Sequence, residues 1–303
     1  MADNINGVPD NTVNVQKEPA KKKVRIGYIF LSVVPVAAVM AIQTLAQVPF
    51  LMAATVETMT GENVPADAIG LMDYIMTLFT EKYAAYSYLV YSVIGVAVFA
   101  FWYYKGFVKK KPKVRLREVF GVRSVTAGIC IAVSLFFAIN AALTLVSWLF
   151  PKLIESYNEI LESAGIISDP VLTIIYGIIL GPILEELCFR GVVFGFLEKT
   201  GARPWICILI SSIFFGAMHL IPVQVAYATV LALFFGFLRY KYRSVLISIV
   251  THILFNLMGT YVSEALDGLE LGDGVIMIAG GIALIVLVFA VVFVNRDKKA
   301  VHM

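Results

Sequence analysis

The chain has 303 residues, 60% of them hydrophobic and 15% charged, with a mean hydropathy of +0.86. Soluble domains run about 45–50% apolar and about 25% charged, so the composition excludes an ordinary soluble domain and implies a membrane protein. The formal net charge of +3 says little as a total; its distribution along the chain says more, and no nucleic-acid partner is expected.

Residues 1–25 are polar, lack the apolar region of a signal peptide, and are expected to form a disordered cytoplasmic tail. Its basic cluster, Lys21, Lys22, Lys23 and Arg25, abuts the first apolar run. Windows of about 20 apolar residues predict transmembrane helices. Eight emerge, at roughly Ile26–Pro49, Tyr86–Tyr104, Val125–Phe150, Val171–Leu197, Pro204–Leu220, Val223–Leu238, Val245–Val262 and Val275–Val294. The stretch from Phe50 to Ala85 mixes Gly61, Pro65 and acids with apolar residues. It is predicted to be an outside loop carrying one amphipathic helix around Ala68–Thr80. The expected fold is therefore all-α and polytopic, with about eight transmembrane helices. Residues 26–170 form the N-terminal helices and loops, 171–262 a chemically loaded core, and 263–303 the last helix and a cytoplasmic tail.

Charge tests this count independently. With the N-terminus inside, eight spans place the basic segments 105–124, 199–203, 239–243 and 296–299 in the cytoplasm. Only Lys82, Lys152 and the intramembrane Arg190 fall outside those segments and the tail. That is a positive-inside pattern with both termini cytoplasmic. An integral protein of a bacterial plasma membrane is the expected localisation, with the lipid bilayer itself as a partner. The most basic segment, 107–124, is either an ordinary juxtamembrane cluster or an amphipathic helix at Val114–Val122 lying on anionic lipid. Cys130, Cys188 and Cys207 sit in apolar runs without a CxxC spacing. They are expected to be small buried hydrophobes, and no disulfide is predicted.

The first three spans have no charged interior residue. The fourth holds GPILEELCFRG (181–191), in which Glu185, Glu186 and Arg190 interrupt an apolar run. Each ionisable group at membrane depth costs about 2.5–3.5 kcal/mol on insertion scales, so three together mark a functional site. His219 follows on the fifth span, and His252 and Asn256 on the seventh. At 1.5 Å per residue, Glu185 lies about 20 Å in from Lys199 and His219 about 24 Å in from Arg203. His252 and Asn256 lie about 13 and 20 Å in from Arg243, so all four share one layer near mid-membrane.

Helical phase separates their roles. Glu185 and Glu186 are 100° apart and cannot share a face. Glu186 and Arg190 are i, i+4 with the acid first, the better order for an ion pair. Glu186–Arg190 is thus expected to be structural, and Glu185, left unpaired, to be a general base. Pairing of Arg190 with Glu185 through helix distortion is the alternative. His252 and Asn256 share a face and suit either a pair of oxyanion donors or a ligand with its supporting group. His219 lies one turn beyond Phe215, just before Ile221-Pro222. Other plans fail on inventory: there is no HExxH, no Asp inside a span, no GxSxG-like elbow and no phosphate-binding Gly loop.

The three motifs, EELCFR (Glu185, Glu186, Arg190), FGAMH (Phe215, His219) and HILFN (His252, Asn256), resemble those of the CPBP intramembrane proteases. That family comprises the CAAX-processing endopeptidases and the bacteriocin-processing and immunity (Abi) proteins. The resemblance covers roughly Val171 to Thr260, in the family's motif order. It implies an intramembrane endopeptidase with the site inside a bundle of the C-terminal five spans, acting on a peptide or membrane-anchored protein. Glu185 and His219 would activate water, His252 and Asn256 would stabilise the tetrahedral intermediate, and Glu186, Arg190 and Phe215 would support them. A metal-dependent version would use Glu185, His219 and His252 as ligands of one divalent ion such as zinc; the metal-free version uses no cofactor. A non-catalytic immunity or peptide-binding protein, and a proton-coupled transporter, are the competing functions.

Overall fold

The computed structural model describes residues 25–61, 64–109, 116–163 and 170–296. The N-terminal tail, most of the basic 107–124 segment's centre and the C-terminal tail lie outside the described residues. Seven helices are long and apolar enough to cross a membrane. They are α1 (Gly27–Thr60), α2 (Ala68–Val108), α3 (Val122–Leu149), α5 (Val171–Lys199), α7 (Pro222–Tyr242), α8 (Val245–Leu266) and α9 (Asp273–Arg296). Between them lie α4 (Pro151–Ser163) and the shorter apolar α6 (Pro204–Ala217). No strand occurs among the described residues. The protein is an all-α polytopic membrane protein.

Two expectations change near the front. The first helix does not stop at Pro49 but continues to Thr60, with Pro35 and Pro49 inside it. A proline normally ends a helix in water; between packed membrane helices the freed carbonyls find other partners. The predicted amphipathic helix at Ala68–Thr80 is present, capped by Asp67, which accepts from Gly70 N–H at 2.9 Å. It is not a separate loop element, however, because α2 runs unbroken through it into the second span. Glu57 fastens the two helices: Lys82 Nζ approaches both its carboxylate oxygens, at 2.6 and 2.7 Å, and Tyr83 donates to Oε2 at 2.5 Å. Of the acids that suggested a loop, Glu57 is paired with Lys82 and Asp67 caps a helix. In the basic 107–124 segment, a four-residue helix, Leu116–Val119, is described.

Proline and backbone handedness set the later boundaries. Pro204 and Pro222 occupy the first turns of α6 and α7, where a missing N–H costs nothing. Between these helices Leu220 takes a left-handed φ of 63°, and Arg243 with φ 48° ends α7. Ser244 then caps α8 by accepting from Leu246 N–H at 3.2 Å.

The core forms around α5. Leu184, Cys188, Phe189, Val192, Val193 and Phe194 are fully buried together with Val39 of α1 and Phe99 of α2. Close approach needs small residues: a Cβ on Gly95 would stand 2.6 Å from Leu184, and one on Gly195 would stand 2.5 Å from Phe107. The front helices therefore wrap the chemically loaded one rather than standing apart. A second cluster joins α3, α7, α8 and α9 through Ile131, Leu135, Phe235, Leu238, Ile247 and Leu287. The last helix packs on α3, where Gly280 meets Ala141 and Trp148 Nε1 donates to Asp273 at 2.7 Å. Its outer face, with Ile278 and Phe289 exposed, suits lipid. All three cysteines are free.

This packing predicts opposite signs for two similar substitutions. Gly195→Ala drives a methyl into the Phe107 ring and destabilises by about 1–3 kcal/mol. Gly281→Ala, with nothing within 4 Å, is neutral or stabilises by up to about 1 kcal/mol. Thermal unfolding in detergent should separate the two.

Candidate active site

Helix α5 is not a plain α-helix. Ile174–Leu180 and Leu187–Val193 are wide turns with i→i+5 hydrogen bonding, joined by the short α-helical piece Gly181–Glu186. Such turns are frequent at functional sites because they re-aim side chains and loosen carbonyls. Here the loosened carbonyls are used. Ser211 of α6 donates to Phe189 O at 2.9 Å, Arg239 of α7 to Arg190 O at 3.1 Å, and Asn256 of α8 to Gly177 O at 3.1 Å. Three neighbouring helices are thereby fastened to the backbone that carries Glu185, Glu186 and Arg190.

The expected division of the two glutamates appears in the geometry. Arg190 Nη1 lies 2.9 Å from Glu186 Oε1, and the two side chains are 1% and 0% exposed. Glu185 is 22% exposed, with no arginine among its ion-pair partners. Arg190 makes its ion pair with Glu186, so the alternative distortion is not adopted. Arg190 is also held by rings: its guanidinium carbon is 4.4 Å from the Phe215 centroid and 5.5 Å from that of Phe235. Its Nη2 makes no hydrogen bond among the described residues, so the cation–π contacts add to the Glu186 ion pair in compensating its burial.

Glu186 does more than hold Arg190. Its Oε1 lies 3.1 Å from His252 Nδ1, while His252 Nε2 lies 3.7 Å from Glu185 Oε2. A buried carboxylate thus fixes the imidazole tautomer, placing hydrogen on Nδ1 and aiming Nε2 toward Glu185. The 3.7 Å gap is too long for a hydrogen bond and leaves the two groups to share a proton or a substrate atom. The resulting chain runs Arg190, Glu186, His252, Glu185. The sequence could not supply its middle link, because Glu186 and His252 stand 66 positions apart.

His219 is placed differently. It lies in the turn just past α6, half-buried, with Nδ1 3.0 Å from Phe215 O. Donation to that carbonyl leaves Nε2 as the acceptor. The Phe215 ring stands between the two histidines, its centroid 5.0 Å from His219 and 5.8 Å from His252. Among the described residues no three His, Cys, Asp or Glu side chains form a set able to hold a metal ion. Glu185, His219 and His252 accordingly do not fit as a preformed triligand site. Asn256 is half-buried one turn beyond His252, on the same face.

Arg239 and Phe235 escaped the sequence reading. Arg239 belongs to a basic turn by composition, yet it is 5% exposed, forked onto Glu198 at 2.6 and 2.9 Å, and stacked 4.2 Å from the Phe194 centroid. Hydropathy cannot reveal such a residue. The signal available was the Phe235–Arg239 spacing, i, i+4, which sets ring and cation on one face of α7 toward α5.

Against known proteins, the family model described as Type II CAAX prenyl endopeptidase Rce1-like matches residues 167–258. Over that segment the chain is similar to that family. Every motif residue from Glu185 to Asn256 falls inside the match. A protein of Bacillus subtilis (strain 168) named "Putative membrane peptidase YdiL" is 36% identical over 103 residues, which is 34% of this chain and 40% of that protein. The chain thus matches about two fifths of the length of this curated relative. No solved structure matches.

The buried Glu186–Arg190 pair gives a stability prediction. Arg190→Ala strands Glu186, and Glu186→Ala strands Arg190, so each costs about 3–5 kcal/mol. Glu185→Ala, at a partly exposed site whose contact with His252 is 3.7 Å long, leaves the melting temperature near wild type. Unfolding of the three purified variants in one detergent checks the ordering, and equal losses for Glu185→Ala and Glu186→Ala would contradict it.

Proposed function

We propose that the chain is an intramembrane endopeptidase hydrolysing a peptide bond of a membrane-associated peptide or protein. The observation that carries this is the asymmetry of the two glutamates. Glu186 is buried and spent on Arg190 and His252, while Glu185 keeps a partly open carboxylate facing His252 Nε2. The Rce1-like match over the same helices supports it.

In the reaction, Glu185 takes a proton from water as general base, with His219 Nε2 accepting a hydrogen bond from the same water. The water oxygen attacks the peptide carbonyl carbon. The carbonyl oxygen gains negative charge, met by the Nδ2–H of Asn256 and by the imidazole of His252, which Glu186 holds in place. The proton held by Glu185 passes to the peptide nitrogen, the C–N bond breaks, and an acid and an amine leave. No metal step is drawn, since the donor set does not gather three ligands. Prenylated CAAX peptides, bacteriocin leader peptides and membrane signalling peptides are the substrate classes suited to a site at this depth. The positive-inside distribution supports cytoplasmic termini, and a bacterial plasma membrane is the proposed location.

A fluorescence-quenched peptide library, incubated with the purified full chain with and without a strong chelator, tests the proposal. Cleavage is expected in both conditions. Glu185→Ala should lower kcat by about 10²–10⁴-fold while the protein still folds. Undiminished cleavage by Glu185→Ala would overturn the assignment, and loss of activity in chelator with recovery in zinc would overturn the metal-free version.

A further inference from the structure

Gly177 supplies the carbonyl that holds Asn256, and the local sequence explains why that carbonyl is free. In the wide turn Ile174–Leu180, Gly181 N–H bonds Tyr176 O, one residue earlier than an α-helix would choose. The donor that the same register assigns to Gly177 O belongs to the next residue. That residue is Pro182, which has no N–H. Neither the i→i+4 nor the i→i+5 donor therefore reaches Gly177 O. The wide turn itself depends on Gly181, because a Cβ there would stand 2.8 Å from Tyr176 O. A buried or half-buried carbonyl without a partner is costly, and Asn256 Nδ2 fills the vacancy from α8 at 3.1 Å.

A primary amide carries two N–H donors. One is committed to Gly177, which stops the side chain rotating about its last torsion. The other remains for a substrate atom. His252, one turn earlier on the same face, is held just as firmly by Glu186.

We propose that Gly181-Pro182 is a positioning device: it strips Gly177 of its helical donor so that this carbonyl orients the Asn256 amide toward the developing oxyanion. The inference rests on the oxyanion role proposed for Asn256. Pro182 and Gly177 touch no substrate; they act through Asn256.

Pro182→Ala restores an N–H in register with Gly177 O. The expected result, on the peptide selected by wild type from the library, is a kcat lower by about 10- to 100-fold with KM within about twofold. The melting temperature is not lowered, which a purely structural role for the proline would not produce. The double variant Pro182→Ala, Asn256→Ala should be no slower than Asn256→Ala alone. Wild-type kcat for Pro182→Ala, or penalties that multiply in the double variant, would overturn the proposal.

A second measurement needs no activity. In the wild-type chain labelled with ¹⁵N-asparagine, with the Asn256 signal assigned by its loss in Asn256→Ala, the two side-chain amide protons should exchange at clearly different rates. Equal rates would sink the positioning idea. An Asn256→Ala variant with wild-type kcat would instead remove the oxyanion role and leave the exchange result to decide the positioning.

Discussion

A single carboxylate, Glu186, sets the arrangement on which the site depends. Burying it costs several kcal/mol unless it is paired, and it is paired twice, by Arg190 below it on the same helix and by His252 across the bundle. The first pairing brings a guanidinium inside, which in turn requires the Phe215 and Phe235 faces. The second fixes the imidazole that faces Glu185. Once Glu186 is satisfied, the positions of α6, α7 and α8 around α5 are largely determined, because each contributes a ring or an imidazole to the same cluster.

Much of this was legible in the sequence, for a local reason. Glu186 and Arg190 are four residues apart, and i, i+4 neighbours stay on one side of a helix even where the turn is wide. The separation of Glu185 from Glu186 survives for the same reason. The all-α, polytopic character was legible because lipid demands long apolar runs, although of the eight expected spans Pro204–Ala217 is shorter than a full crossing. Illegible were the contacts that depend on which helices become neighbours, namely Glu186 with His252, Arg239 with Arg190 O, and Asn256 with Gly177 O. Pro49 and the acids near it suggested a boundary that packing overrides, since α1 continues where an isolated helix in water would end.

The wide turns in α5 explain how one helix serves so many partners. An α-helix keeps its carbonyls for itself. By widening twice, α5 offers three of them sideways, to Ser211, Arg239 and Asn256. The same stretch keeps glycine at 191 and 195 so that Tyr103 and Phe107 of α2 can close against its other side. The helix carrying the acid is thus gripped by polar contacts on one flank and by aromatic packing on the other. That double grip suits a carboxylate whose own contact, with His252, is long.

The shortness of α6 has a consequence for hydration. Fourteen helical residues rise about 21 Å, against a hydrocarbon layer of about 30 Å. The turn that follows, with His219 and the left-handed Leu220, lies at a depth where lipid offers no hydrogen-bond partners. Irregular backbone is tolerated there only against protein or water. That turn therefore needs protein or water beside it, not acyl chains alone. In the proposed hydrolysis one water is consumed per bond cut, and a helix shorter than the layer leaves room for it to approach.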